Sequence, residues 1–381
     1  MTTPKRAVRP EPQTKEGAAV RQAVRTILAC ALLAAGGCAP SRGGAGHSIF
    51  PVGATDAART SPGSLSSAPI PIRREPWRTA EFEGLLITTP HYRLYTTVTE
   101  PQFLDRLGRF YESALAQFRS ALTDLPEPDR RLEAFVFRDR EQWHTKTRQM
   151  LPEQARSFLG LGRGGLTTRG TSVLYDIGPR GTFRDTFAIA AHEGWHQYTQ
   201  RSFREHLPIW LEEGIATYME GYRECDRTLR FRPWDNPERL RTLQEAARED
   251  RLFSMQELLT RTPQSFLDKS KDHLLIYYAQ VWAMTHFLVE GTGGRYRSSL
   301  ERILHDAAGG KLTRRLRNYI AVSAQSAEVS AGRPRLGPAA VLAYFHDDPA
   351  AFERQYLDFI DRLVNMGGRP GTGSPPSRPA G

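Results

Sequence analysis

The chain has 381 residues, 39% of them hydrophobic, and 52 Lys and Arg against 42 Asp and Glu give it a formal net charge of +10. That length and apolar content can bury the core of one large or two small domains, which excludes a chain disordered throughout. The surplus charge sits on arginines without interleaved aromatics, the composition of a solvated surface and not of a nucleic-acid groove.

The amino terminus reads as an export segment. Lys5, Arg6, Arg9, Lys15, Arg21 and Arg25 precede the apolar run ILACALLAA at 27–35, too short to span a bilayer but suited to a signal peptide. Ala35-Gly36-Gly37-Cys38 follows at once and resembles the lipobox of bacterial lipoproteins. The resemblance implies removal of residues 1–37, lipidation of Cys38, and a lipid anchor in the cell envelope. Six basic and two acidic residues would leave with the leader, so the charge falls to +6. Cys30 would be lost and Cys38 acylated, and Cys225 alone cannot form an internal disulfide. Residues 38–77, rich in Gly, Ser, Ala and Pro, are expected to be a flexible linker, and the tail 366–381 to be disordered. The folded domain should occupy 78–365, β-rich over 78–182 and helical over 183–365.

Within it, LLITT (85–89) and YRLYTTV (92–98) read as strands, and Thr99-Glu100-Pro101-Gln102 as a capping box opening a helix. Phe103, Leu107, Phe110, Ala114, Phe118 and Ala121 then form one apolar stripe. LEAFVF (132–137) is a short buried strand, 139–151 looks helical, and 162–178 contains a hairpin. Helices are expected at 186–201, 208–221, 237–248, 272–290, 297–307 and 349–365. Strands followed by helices make an α+β fold.

AHEGWHQYTQRSFREHLPIWLEEGIATYME, residues 191–220, carries the chemistry. His192 and His196, four apart on a helix, can turn both imidazoles toward one ion about 2 Å away. Glu193 lies about 100° round the helix from His192, beside the ion without ligating it, the place for a general base acting on a metal-activated water. Gly194 argues against this helix, costing it up to about 1 kcal/mol relative to Ala. A catalytic zinc site needs a third protein ligand, and a second helix starting at Pro208, folded back through 202–207, offers Glu212 or Glu213. Adjacent residues point different ways, so at most one faces the ion, and helix geometry does not say which.

His192-Glu193-x-x-His196 with Trp210-Leu211-Glu212-Glu213-Gly214 resembles the gluzincin branch of zinc metallopeptidases, the peptidase MA clan, and among them its small bacterial members. The resemblance covers residues 186–221, with no aminopeptidase G-x-M-E-N motif. It implies a zincin-like fold, Zn2+ held by His192, His196 and Glu213, and Glu193 as catalytic base. It also implies an edge strand that binds extended substrate, for which TSVLYDI (171–177) is the candidate, the alternative being an ordinary internal strand. A tyrosine that stabilises the oxyanion is implied as well; Tyr277 and Tyr278 are available, with Tyr278 preferred. Tyr278 also belongs to an apolar stripe with Val281, Trp282, Thr285 and Leu288, as a core tyrosine would. Glu205, His206 and His286 are further residues able to approach a metal, and Thr217 could support Glu213. The expected activity is hydrolysis of peptide bonds in exported polypeptides. The rival expectation is a catalytically inactive zinc-binding lipoprotein that acts as a binding module, and a third is a metal-free fold with the histidines as polar packing.

Overall fold

The computed structural model describes residues 70–153, 164–178, 183–225, 228–325 and 336–365. The expected signal peptide, the acylated Cys38, the linker up to residue 69 and the tail 366–381 lie outside the described residues. Among those described, no helix is long and apolar enough to cross a membrane.

The fold is mixed α+β. Six strands, β1 (Arg73–Arg78), β2 (Glu83–Thr88), β3 (Tyr92–Thr96), β4 (Leu132–Phe137), β5 (Gly165–Thr168) and β6 (Thr171–Tyr175), form one sheet in the order β1-β2-β3-β4-β6-β5. The β3, β4 and β6 strands run parallel, and the other pairs are antiparallel. Two expectations are corrected here. Regular structure is already present at Arg73, where β1 pairs residue by residue with β2 inside the stretch assigned to the linker. The Thr171–Tyr175 strand is internal: it has β4 on one side and β5 on the other, so among the described residues the edges are β5 and β1. The alternating pattern located the hairpin, but it carried no signal of which arm joins the rest of the sheet.

Between β3 and β4 lies α1 (Pro101–Ser120), and α2 (Arg140–Met150) follows β4. Pro101 stands at the first turn of α1, where its missing N–H costs nothing, but Glu100 is the cap residue and no side chain caps the helix, so the expected capping box does not form. Asp139 caps α2 by accepting from the Gln142 N–H.

After β6 the chain is helical apart from a hairpin, β7 (Tyr222–Cys225) with β8 (Thr228–Phe231), that the sequence pattern did not disclose. Three helices form the centre: α3 (Arg184–Ser202), α4 (Ile209–Met219) and, after α5 (Pro237–Arg248), α6 (Met255–Thr260) and α7 (Pro263–Leu267), the long α8 (Lys271–Glu290). Each is buried around most of its circumference, as a helix enclosed on all sides must be. The remainder, α9 (Arg297–Gly309), α10 (Leu312–Gln325), α11 (Leu336–Ala340), a π turn at Val341–Phe345 and α12 (Pro349–Asn365), closes over them.

Two glycines set the spacing of this centre. A Cβ on Gly194 would meet the Phe118 ring at 3.1 Å, so glycine lets α1 close onto α3. A Cβ on Gly214 would stand 2.6 Å from Thr285 Oγ1 and 2.7 Å from the Val281 carbonyl, so α4 and α8 can touch only with glycine there. The helix cost of Gly194 is thus offset by packing.

The α1 stripe anchors α3 through aromatic contacts: the Phe110 ring stacks on Phe187 at 4.6 Å and meets Tyr222 edge-on at 5.3 Å. Phe110→Ala should destabilise the protein by about 3–5 kcal/mol, read as a lower urea midpoint. Leu357→Ala, at a side chain 43% exposed, should change it by less than about 0.5 kcal/mol.

Candidate metal centre

The helix α3 stacks His192 and His196 on one face, with ring centroids 5.0 Å apart, and α4 brings Glu213 to meet them. Each Nε2 atom lies 3.5 Å from the same Glu213 oxygen, Oε2. All three residues are fully buried, and one donor atom from each lies within 4.8 Å of the others. Ligand atoms about 2.0–2.1 Å from a tetrahedral ion sit about 3.3–3.4 Å from one another, so the two 3.5 Å separations suit a shared cation.

The hydrogen bonds point the same way. His192 Nε2, His196 Nε2 and both Glu213 oxygens are buried and have no hydrogen-bond partner. Leaving even one such atom unpaired costs about 1–3 kcal/mol, and both Nε2 atoms lie 3.5 Å from one of those oxygens, Oε2. The opposite ring nitrogens are committed: His192 Nδ1 lies 2.8 Å from Glu220 Oε1, and His196 Nδ1 3.2 Å from Glu212 Oε1. A carboxylate on Nδ1 fixes the ring orientation and turns Nε2 inward, the arrangement of a metal-ligating histidine. The His192-His196-Glu213 group could therefore bind a metal ion. Glu212 faces away from Glu213, onto His196 and the Thr199 hydroxyl, which donates to it at 2.6 Å.

The orienting carboxylates are themselves held. Glu220 accepts from Arg239 Nε at 3.1 Å, Arg239 Nη2 at 2.9 Å and Asn236 Nδ2 at 2.7 Å, all buried. Burial works against its charged form, but Arg239 and His192 outweigh that and hold its carboxyl down to about 2. Burial likewise opposes charge on His196, yet the Glu213 and Glu212 carboxylates raise it to about 10. Three carboxylates around the imidazoles, Glu212, Glu213 and Glu220, make the pocket one that draws positive charge, whether protons or a metal ion.

Glu193 stands beside the group. Its Oε2 accepts from the Thr167 hydroxyl at 2.7 Å, while its Oε1 is buried without a partner. Burial pushes its carboxyl up to about 7, against the pull of His192 and His196. Strand β5 reaches it because the β5–β6 turn is tied to α3: the Gly170 N–H donates to Gln200 at 2.8 Å, and Gln197 donates to the Gly170 carbonyl at 3.1 Å. Both turn residues, Arg169 and Gly170, have positive φ, as a tight two-residue hairpin turn requires. A Cβ on Gly165 would fall 2.6 Å from Glu193 Cγ, so glycine is needed where β5 passes the carboxylate.

Tyr278 is fully buried, its ring edge-on to His192 at 5.8 Å and 5.2 Å beneath the Arg239 guanidinium. The neighbouring Tyr277 has a buried hydroxyl with no hydrogen-bond partner, and burial together with the Glu213 charge pushes its phenol well above the ordinary value. The other suggested residues do not join the group. Thr217 bonds back to the Glu213 and Gly214 carbonyls of its own helix. Glu205 accepts from the Leu312 and Thr313 N–H groups at the start of α10. His206 is exposed, and His286 packs against Trp234 and Trp282 with Nδ1 on Glu290.

Sequence reasoning missed Glu220, Asn236, Arg239, Thr167 and Thr199. One signal was present: Glu220 follows Glu213 by seven residues, two helical turns, and so shares its face. Thr199, three residues beyond His196 on α3, carried a second; Asn236, Arg239 and Thr167 come from distant segments and had none.

A family model described as a protein of unknown function (DUF1570) matches residues 186–308. That stretch runs from α3 into α9 and contains the three donors, Glu193, both orienting glutamates, Arg239 and both tyrosines. No curated protein and no solved structure matches the chain.

Metal titration against a competing chelator should find about one divalent ion per chain, abolished in His192→Ala and Glu213→Ala. Glu220→Ala should bind about 10–100-fold more weakly, because His192 loses its Nδ1 partner and Arg239 its counter-charge.

Proposed function

We propose that the chain is a zinc-dependent peptidase of the gluzincin kind, with a zincin-like fold, that hydrolyses peptide bonds of exported polypeptides from a lipid anchor at Cys38. The observation that carries the reading is Glu193: a buried carboxylate beside the three donors, with one oxygen held by Thr167 and the other without a partner. A metal-binding scaffold needs no such group, whereas hydrolysis needs a base at that place. Two imidazoles and a carboxylate suit zinc, and they leave the fourth position of a tetrahedron to water or substrate.

His192, His196 and Glu213 would hold the ion, which when bound supplies Lewis acidity to a scissile carbonyl and lowers the pKa of water. Glu193 Oε1 takes the proton of the attacking water and returns it to the leaving amine nitrogen. A carboxyl raised to about 7 can do both near neutral pH. Thr167 holds Oε2, which leaves Oε1 as the oxygen available to take a proton. The resemblance places extended substrate along the sheet edge before the active helix; in this fold the edge is β5, whose Gly165 and Thr167 flank Glu193. Tyr278, its ring on His192, is the proposed oxyanion donor, with the unpartnered Tyr277 hydroxyl as the other source on α8.

One observation favours a second reading, a zinc-binding lipoprotein that serves as a binding module. His192, Glu193, His196 and Glu213 are all 0% exposed, so a peptide reaches them only if the surroundings move.

Cleavage of a mixed peptide library by zinc-loaded parent and Glu193→Gln decides between the two. The peptidase reading expects equal zinc content and loss of cleavage in the variant; zinc without Glu193-dependent cleavage in either supports the binding module. Tyr278→Phe should lower kcat by about 10²-fold with zinc retained. A loss of that size in Tyr277→Phe instead would move the oxyanion role to Tyr277.

A further inference from the structure

A second site lies apart from the metal donors, at the end of the sheet where the parallel strands β3 and β4 begin. Arg93 on β3, Arg130 and Arg131 in the loop before β4, Glu133 on β4 and Arg201 in the last turn of α3 line one surface cavity of about 440 Å3. Four guanidinium groups thus share a small space with one carboxylate, and they repel one another unless an anion enters.

Several arginines elsewhere on the surface are engaged in close ion pairs. Arg74, Arg251 and Arg315 hold carboxylates at 2.9, 2.7 and 3.0 Å. In the cavity the nearest pairs are loose, Arg93 to Glu133 at 3.8 Å and Arg130 to Asp129 at 3.9 Å. Arg131 and Arg201 have no carboxylate within 4.0 Å among the described residues. Backbone carbonyls position them instead: Arg131 Nε donates to Thr89 O at 2.9 Å, and Arg201 Nε to Gly170 O at 3.4 Å. A guanidinium held by Nε keeps its outer N–H groups free to donate, the fork geometry that matches a phosphate oxygen pair. An adjoining cavity of about 370 Å3 shares Arg131 and is walled by Pro71, Ile72 and Pro90, so a substituent on the anion has an apolar place to lie.

We propose that the Arg93-Arg130-Arg131-Arg201 cavity binds a phosphate group, carried either by a soluble phosphate compound or by an anionic lipid headgroup. The site is independent of the metal centre, and its test requires no metal.

The experiment uses the full chain carrying Cys38→Ser, so that no acyl chain is attached there. Inorganic phosphate is titrated by calorimetry at about 150 mM salt, where unspecific surface attraction is screened. Vesicles of phosphatidylcholine, with and without phosphatidylglycerol, are tested by co-sedimentation. The expected result is saturable phosphate binding, at least about tenfold weaker in Arg131→Ala and Arg201→Ala and unchanged in Arg74→Ala. Arg93→Ala, at an exposed side chain with no backbone tie, should weaken it too and keeps the test valid should the other variants lose their fold. Phosphatidylglycerol-dependent sedimentation lost in the same variants identifies the headgroup as the source; phosphate binding without it identifies a soluble one. Phosphate affinity equal in parent and all variants, or no binding of phosphate and no preference for phosphatidylglycerol, overturns the proposal.

Discussion

Two imidazole nitrogens meet one carboxylate oxygen in the interior of this protein, each 3.5 Å from it, and none of the three has a hydrogen-bond partner. Burying such atoms unpaired is costly, and the surrounding structure spends further buried polar groups on aiming them. Glu220 and Glu212 orient the rings, and Arg239, Asn236 and Thr199 hold those carboxylates in turn. A hydrophobic core of the same shape would need none of this. The arrangement makes physical sense around a cation, and the close packing of α1, α3, α4 and α8 keeps the donors in register.

The donor set was legible in the sequence because helix periodicity fixes which residues share a face. His192 and His196 follow from a spacing of four, and α4 returns Glu213 to them through a short connection. The choice between Glu212 and Glu213 was not legible from geometry; it rested on resemblance, and the side chains now face opposite ways, one to the donors and one to His196 Nδ1. The α+β order of elements was readable for the same reason, since periods of two and 3.6 residues differ plainly.

What stayed hidden depends on contacts between distant segments. Arg239 reaches Glu220 across nineteen residues, and Thr167 reaches Glu193 across twenty-six, with no local pattern to announce either. A hairpin looks alike from either arm, so the pattern does not say which arm joins the rest of the sheet, and β1 reads as linker because its residues, RREPWR, are mostly charged and exposed as an edge strand's are. Gly165, Gly194 and Gly214 were similarly opaque: each is explained by what presses against it, Glu193, Phe118 and Thr285, and not by its neighbours in sequence.

The central claim is that one zinc ion is held by His192, His196 and Glu213, and X-ray absorption at the zinc edge of the loaded protein tests it most directly. The account predicts a first shell of nitrogen and oxygen at about 2.0–2.1 Å, with the multiple scattering of two imidazoles. A shell containing sulfur at about 2.3 Å, or one without imidazole scattering, would contradict it.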